Sequence, residues 1–323
     1  MQQSRVLVLT HKNENDPELE MLSAIPHVSG SEPSSFTEAA QDAAVILNWS
    51  GGRDLLRSVF AMAPKLRWVH SRSAGLDKIL FPELVESDVV LTNGSGVFSP
   101  SLAEFALTAM LYFAKDIPRM LRNQAAGIWE QFTVEEIAGR TVGIVGYGDI
   151  GKQVARRAHS MGMHVLATKR RIPPSGNPGD DPWVERFYET REQKEMLRQC
   201  DYIVAAAPLT EETFHLIGDA EFAVMKPNAV IINVGRGPVI DEAAIVRALT
   251  EKRIKGAGLD VFEHEPLPPG DPMYKLPNVL LSAHTADRTD TWLREAMGFF
   301  LEQYARFEEG EPLKNVVDKK SGY

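Results

Sequence analysis

A chain of 323 residues has room for about two domains. With 44% apolar and 24% charged residues it can build large cores without staples. A formal charge of −9, with no lysine/arginine block, argues against nucleic acid or an anionic membrane surface as partner.

The lone cysteine, Cys200, cannot form an internal disulfide, which fits a reducing compartment and points to the cytoplasm. The apolar run 6–9 is too short for a secretory signal, and no stretch reaches the roughly 18 apolar residues of a membrane span.

In chain order, residues 5–9 read as a buried strand and 17–23 as a short helix. Residues 44–49 form a second apolar strand, followed by a helix over 53–62 that Pro64 ends. Strands at 66–71 and 89–92 lead into the loops Ser73-Ala-Gly-Leu-Asp77 and Asn93-Gly-Ser-Gly96. Ser99 and Pro100 open the longest helical pattern, which Pro118 breaks and which continues as a polar segment to Gly127; it is read as crossing between domains. Trp129 and Phe132 follow on a segment too apolar for a free linker, as expected of a surface that packs on a neighbour or partner subunit.

Residues 141–145 are a β-branched, apolar run ending at Gly146, and Gly148 and Gly151 complete G-x-G-x-x-G. Val154, Ala155, Ala158 and Met161 follow at helical spacing. A strand, this glycine pattern and a helix together form the context of the dinucleotide fingerprint. Gly146 permits the tight turn, Gly148 a close approach to pyrophosphate, and Gly151 close helix–strand packing, with the helix N-terminus facing the phosphates. Strands follow at 164–168, 201–207, 229–234, 254–259 and 279–282, with helical segments at 192–198, 213–225, 242–252 and 291–307. Such alternation specifies parallel sheets covered on both faces, the doubly wound α/β class.

Three chemically capable residues follow strand ends in the second half: Arg236 between two glycines, Glu265 before Pro266, and His284 after an apolar strand. They fall on the rim that carries the glycine fingerprint. A guanidinium can hold a carboxylate and polarise a carbonyl, and histidine can give or take a proton. A neighbouring carboxylate fixes the imidazole tautomer and favours the imidazolium. Those are the requirements of carbonyl reduction by hydride from a nicotinamide.

Taken together, Gly146-x-Gly148-x-x-Gly151, Asn233-Val-Gly-Arg-Gly237 with Asp241-Glu242, Gly258-Leu-Asp-Val-Phe-Glu-His-Glu-Pro266 and Ser282-Ala-His284 resemble the D-2-hydroxyacid dehydrogenase family. Ser73-Ala-Gly75 and Leu102-Ala-Glu104 match as well, and the resemblance runs from about Leu66 to the C-terminus. It implies that Arg236 binds substrate, that Glu265 orients His284, and that His284 is the acid/base. It implies that Ser73, Ala74 and Gly75 hold the substrate carboxylate and that Asp260 faces the nicotinamide amide. Gly146, Tyr147, Gly148, Asp149, Ile150, Gly151, Pro208, Thr213, Val234 and Gly235 complete the expected cofactor contacts, and no metal is expected. The resemblance also implies two doubly wound parallel-sheet domains, a discontinuous flavodoxin-like catalytic domain, 1–98 and 290–323, around a Rossmann nucleotide domain, 99–289, in a homodimer built on the nucleotide domains.

The implied reaction is reduction of a small 2-keto acid such as glyoxylate or hydroxypyruvate. Formate dehydrogenases resemble the family too, but carry Gln where Glu265 stands. A dinucleotide-sensing corepressor or scaffold of the same fold is the other reading; an intact Arg236, Glu265 and His284 favours turnover. The chain departs from the family at Thr285-Ala-Asp-Arg288, where many members continue with an Ala-Gly or Gly-Gly turn. At the end of the second nucleotide-domain strand an NAD-preferring site places a carboxylate for the ribose 2′-OH. Here no carboxylate occurs over 164–178, and Lys169, Arg170 and Arg171 stand in its place, which points to NADP over NAD, with NAD still possible.

Overall fold

The computed structural model describes residues 3–170 and 181–322. It divides into two compact units: residues up to Phe98 with those from Arg288 on, and Ser99–Asp287. Among the described residues each unit is built on one parallel sheet.

The first unit holds β1 (Arg5–Leu9), β2 (His27–Gly30), β3 (Ala43–Asn48), β4 (Trp68–Ser71) and β5 (Val90–Asn93), in the order β2-β1-β3-β4-β5. Every residue of β3 and β4 is buried, which is why the sequence shows unbroken apolar runs there rather than alternation. The edge strand β2 is half-exposed with a polar sequence, so it carries no such run and the sequence pattern misses it. The helix Trp292–Glu309 lays Ala296, Met297, Phe300 and Tyr304 inward. Phe300 stacks on Trp68 of β4 with ring centroids 5.5 Å apart, and Phe307 lies 5.3 Å from the same indole.

The second unit contains β6 (Thr141–Val145), β7 (His164–Thr168), β8 (Arg186–Tyr188), β9 (Tyr202–Ala205), β10 (Val230–Asn233), β11 (Gly256–Leu259) and β12 (Val279–Leu281), ordered β12-β11-β10-β9-β6-β7-β8. Chain order reverses at β6, which lies between β7 and β9, and this is the switch point where such sheets bind ligands. Register pairs Val145 with Thr168 and Ala205, and Asn233 with Ala205 and Leu259. The strand ends therefore lie side by side, and the loops after them share one rim.

The helix Asp149–Ser160 buries Gly151, Val154, Ala155 and Ala158, the face given by its spacing, while Met161 caps the end and stays exposed. The long helical pattern that opens at Ser99 resolves into Ser99–Ala114 and Ile117–Ala126, both within the second unit. They are separated at Asp116, which adopts φ 48° and accepts a hydrogen bond from Arg119 N at 3.3 Å. Residues 213–225 read as mostly helical, but α-helix forms only at Asp219–Phe222. Thr213 Oγ1 instead donates to Pro208 O at 2.6 Å and accepts from Thr210 N at 2.8 Å, and His215 takes φ 50°. Side-chain bonds to nearby backbone compete with the helix there. Among the described residues no helix is long and apolar enough to cross a membrane.

Candidate active site

The loop after β6 is shaped by contacts that only glycine permits. Gly146 has φ 95°, and a Cβ there would lie 2.6 Å from the backbone of Ala207. A Cβ on Gly151 would lie 2.7 Å from Gly146 O, so the helix starts directly against the strand it follows. At Gly148, the N-cap, a Cβ would meet nothing within 4 Å, and no side chain caps the helix. This end therefore presents open space to helix N–H groups, with Asp149 and Ile150 half-buried in the first turn. The side chain of Tyr147 is buried, edge-on to Phe187 at 5.0 Å and bonded through its hydroxyl to Asp181. Burial, reinforced by that carboxylate, raises its pKa well above the usual phenol value.

At the end of β7, Thr168 accepts from Gly146 N at 3.2 Å and so faces the glycine turn. Lys169 follows, its Nζ 6.0 Å from the Phe187 ring centre. Arg170 Nε lies 3.6 Å from Glu212 Oε2, and both side chains are largely exposed. Glu212 comes from the loop after β9, a partner that no local spacing announces. Arg171 lies outside the described residues. In that β9 loop Pro208 is exposed, and Thr213 staples the turn by the bonds described above.

The loop after β10 is held by Asn233, whose Oδ1 accepts from Gly235 N at 3.1 Å and whose Nδ2 donates to Arg236 O at 3.0 Å. Val234 and Gly235 are buried, and Arg236 Nη1 donates to Gly235 O at 2.9 Å. Asn233 is thus the residue that shapes the arginine loop, visible in the sequence only as a motif letter.

Asp260 follows β11 and is 1% exposed. Its Oδ1 accepts from both Thr285 N and Ala286 N at 3.0 Å, and its carbonyl accepts from His284 N at 2.9 Å. These three bonds hold His284 at φ 53°, a left-handed conformation that costs a non-glycine residue on the order of 1–2 kcal/mol. His284 Nδ1 sits 2.8 Å from Glu265 Oε2, while Glu265 Oε1 accepts from Phe262 N at 3.0 Å. One carboxylate oxygen is thereby anchored and the other set against the imidazole, leaving Nε2 as the ring nitrogen that can exchange a proton.

Two further carboxylates fix the loop that carries Glu265. Glu242 N donates to Glu263 Oε1 and Glu263 N to Glu242 Oε2, both at 2.9 Å, and His215 Nε2 lies 2.8 Å from Glu263 Oε1. Nothing in the sequence spacing announced this reciprocal lock.

In the first unit, Ser73, Ala74 and Gly75 follow β4. Asn93 Nδ2 donates to Ala74 O at 2.7 Å and Gly94 N to Ser73 O at 3.3 Å, so the loop after β5 fixes the loop after β4.

The second unit fits a nicotinamide dinucleotide on its own geometry. The open N-terminus at Gly148 offers donors to a pyrophosphate, and Asp260 Oδ2, buried with no hydrogen-bond partner among the described residues, offers an acceptor to a carboxamide. Comparison with known proteins agrees. Residues 107–286 match the family model described as D-isomer specific 2-hydroxyacid dehydrogenase, NAD binding domain. A glyoxylate reductase of Korarchaeum cryptofilum is 36% identical over 270 residues, 81% of this chain and 79% of that protein. Among solved structures, a D-isomer specific 2-hydroxyacid dehydrogenase from Xanthobacter autotrophicus in complex with NADPH and MES superposes with TM-score 0.84, at 29% identity over 99% of this chain and 100% of that one. An NADPH-dependent glyoxylate/hydroxypyruvate reductase from Sinorhizobium meliloti in complex with NADP and sulfate gives TM-score 0.82, at 28% identity over 99% and 100%.

Proposed function

The chain belongs to the D-isomer specific 2-hydroxyacid dehydrogenase family and is an NAD(P)-dependent oxidoreductase acting on small 2-keto or D-2-hydroxy acids; within that chemistry we propose that it reduces glyoxylate or hydroxypyruvate and prefers NADPH. The Glu265–His284 pair, clamped by Asp260, is the observation that carries this reading. When bound, the nicotinamide supplies the hydride. His284 gives a proton from Nε2 to the developing alkoxide, and Glu265 keeps Nδ1 protonated and the ring oriented. Arg236 grips the substrate carboxylate and polarises the carbonyl, with the backbone of Ser73, Ala74 and Gly75 as further donors. Asp260 does two jobs: Oδ1 holds the histidine loop, and Oδ2 takes the carboxamide N–H. Gly146 to Gly151, Pro208, Thr213, Val234 and Gly235 line the cofactor. In this assignment residues to Phe98 with those from Arg288 on are the catalytic domain, and Ser99–Asp287 is the nucleotide domain.

Preference for NADPH rests on Lys169 and Arg170, where a carboxylate would repel a 2′-phosphate. The exposed ion pair of Arg170 with Glu212 contributes little and exchanges readily for a phosphate. A homodimer is supported by the helix Ile117–Ala126, which buries no residue and leaves Leu121 56% exposed, and by the segment after it, where Ile128 is 56% and Trp129 95% exposed. A cytoplasmic location rests on the lone buried Cys200 alone.

The test is kcat/KM with NADPH and NADH over a panel of 2-keto acids, for wild type and Arg170→Ala. Wild type turns over glyoxylate or hydroxypyruvate and favours NADPH tenfold or more, and Arg170→Ala narrows that ratio by on the order of tenfold. Absence of turnover with either cofactor would return the fold to a binding role, and an NADH preference or an unmoved ratio would remove the 2′-phosphate assignment.

A further inference from the structure

In the second sheet β6 lies between β7 and β9, so the loops after β7 and β9 flank the glycine turn that follows β6. Both are tied to that turn. On one side Gly146 N donates to Thr168 Oγ1 at 3.2 Å and Tyr147 N to Thr168 O at 3.1 Å. On the other, Ala206 N donates to Val145 O at 2.8 Å, and Gly146 leaves no room for a Cβ beside Ala207. Arg170 stands on the first loop and Glu212 on the second, and Arg170 Nε lies 3.6 Å from Glu212 Oε2. This ion pair therefore links the two loops on either side of the glycine turn.

The two cations after β7 are held differently. Lys169 N donates to Tyr188 O at 3.0 Å and its ammonium lies towards the Phe187 ring, so Lys169 leans on β8. Arg170 instead has a carboxylate against its guanidinium. The backbone around Glu212 is fixed from both sides. Thr213 Oγ1 accepts from Thr210 N at 2.8 Å and donates to Pro208 O at 2.6 Å. Phe214 N donates to Thr210 O at 3.0 Å, and His215 N to Pro238 O at 2.8 Å. Glu212 sits inside this stapled turn, so it leaves Arg170 only by swinging its side chain, and its charge stays close to the guanidinium.

A carboxylate in that position acts on a 2′-phosphate twice. It occupies the guanidinium before the cofactor arrives, and it repels a group of its own sign afterwards. A 2′-hydroxyl carries no charge and meets neither penalty. Discrimination between two ligands is a difference of affinities, and a like charge lowers one of them selectively. We propose that Glu212 is a specificity-determining residue, an internal anion that competes with the 2′-phosphate for Arg170 and holds the preference for NADPH below what Lys169 and Arg170 would give without it. This deepens the NADPH reading and rests on its assignment of Arg170.

The experiment measures Kd by calorimetry for two matched pairs, NADPH against NADH and adenosine 2′,5′-bisphosphate against 5′-AMP. The proteins are wild type, Glu212→Gln, Glu212→Lys, Arg170→Ala and the double variant Arg170→Ala/Glu212→Gln. Because Glu212 is exposed, its replacement leaves the fold intact. Glu212→Gln tightens both 2′-phosphate ligands by about two- to fivefold, the range of an exposed ion pair, and leaves NADH and 5′-AMP unmoved. Glu212→Lys, which adds a cation, tightens them further. In the Arg170→Ala background the gain from Glu212→Gln is at least halved, since no guanidinium remains to be released. Unchanged or weaker binding of the 2′-phosphate ligands to Glu212→Gln overturns the proposal. So does an equal shift in both members of a pair, or a gain that survives Arg170→Ala in full. The two readings fail separately. An Arg170→Ala variant whose ratio of NADPH to NADH affinity equals that of wild type rejects the 2′-phosphate assignment itself. A ratio that falls in Arg170→Ala but does not rise in Glu212→Gln keeps that assignment and rejects the role of Glu212.

Discussion

Lowering the pH attacks this protein first at His70, on β4, two residues ahead of Arg72. His70 is 1% exposed and packs against Phe299 and Phe300. Its Nδ1 lies 2.8 Å from Thr92 Oγ1, which also accepts from Trp68 Nε1 at 2.8 Å. The hydroxyl proton is thus left for Nδ1, and the site is built for a neutral ring. Burial lowers the pKa of His70 to about 3, against 6.5 for an unburied imidazole. The unfolded chain therefore binds a proton in a range where the folded one does not, so stability is full above pH 6.5 and is lost as pH falls from there towards 3. At 1.36 kcal/mol per unit, this group alone removes about 2 kcal/mol by pH 5 and about 3 kcal/mol by pH 4. Urea midpoints measured from pH 8 to pH 4.5 on wild type and His70→Asn test it. The variant keeps an acceptor near Thr92 and cannot titrate, so it is weaker at pH 8 yet loses about 2 kcal/mol less on going to pH 5. Parallel curves for the two proteins would refute the argument. The distinction bears on function, because acid inactivation that follows His70 is unfolding of the first unit and not titration of the Glu265–His284 pair.

His284→Gln lowers kcat by about 10²–10⁴-fold while cofactor binding, followed by fluorescence titration, is retained; near-normal turnover would shift attention to His264. Gly151→Ala forces a Cβ to 2.7 Å from Gly146 O and 3.1 Å from Ile144 Cγ2, and destabilises the second unit by about 1–3 kcal/mol in thermal denaturation. Cys200, its Sγ donating to Met196 O at 3.1 Å and its pKa pushed up to about 12 by burial, resists thiol reagents in the native protein and reacts only on unfolding.

The sequence by itself determined the alternation of strands and helices, because β3, β4, β6 and β9 are buried on both faces and must read as apolar runs. It also determined the turn after β6, because only glycine fits where strand, loop and helix touch, and it singled out Arg236, Glu265 and His284 as chemically capable residues in the loops that follow apolar strands. Weak edge strands escaped it: β2 and β8 are short and partly exposed, β2 burying no residue and β8 only Tyr188, too little to make a pattern. So did the loop of residues 208–218, where threonine and histidine bonds to the backbone override a helical pattern. Tertiary structure alone decided what holds the site in place. The bonds of Asp260 to residues 285 and 286, the Glu242–Glu263 lock and the Glu212 contact of Arg170 join positions 21 to 42 residues apart. No local pattern encodes such pairs, because each depends on where the sheet register brings two strand ends together.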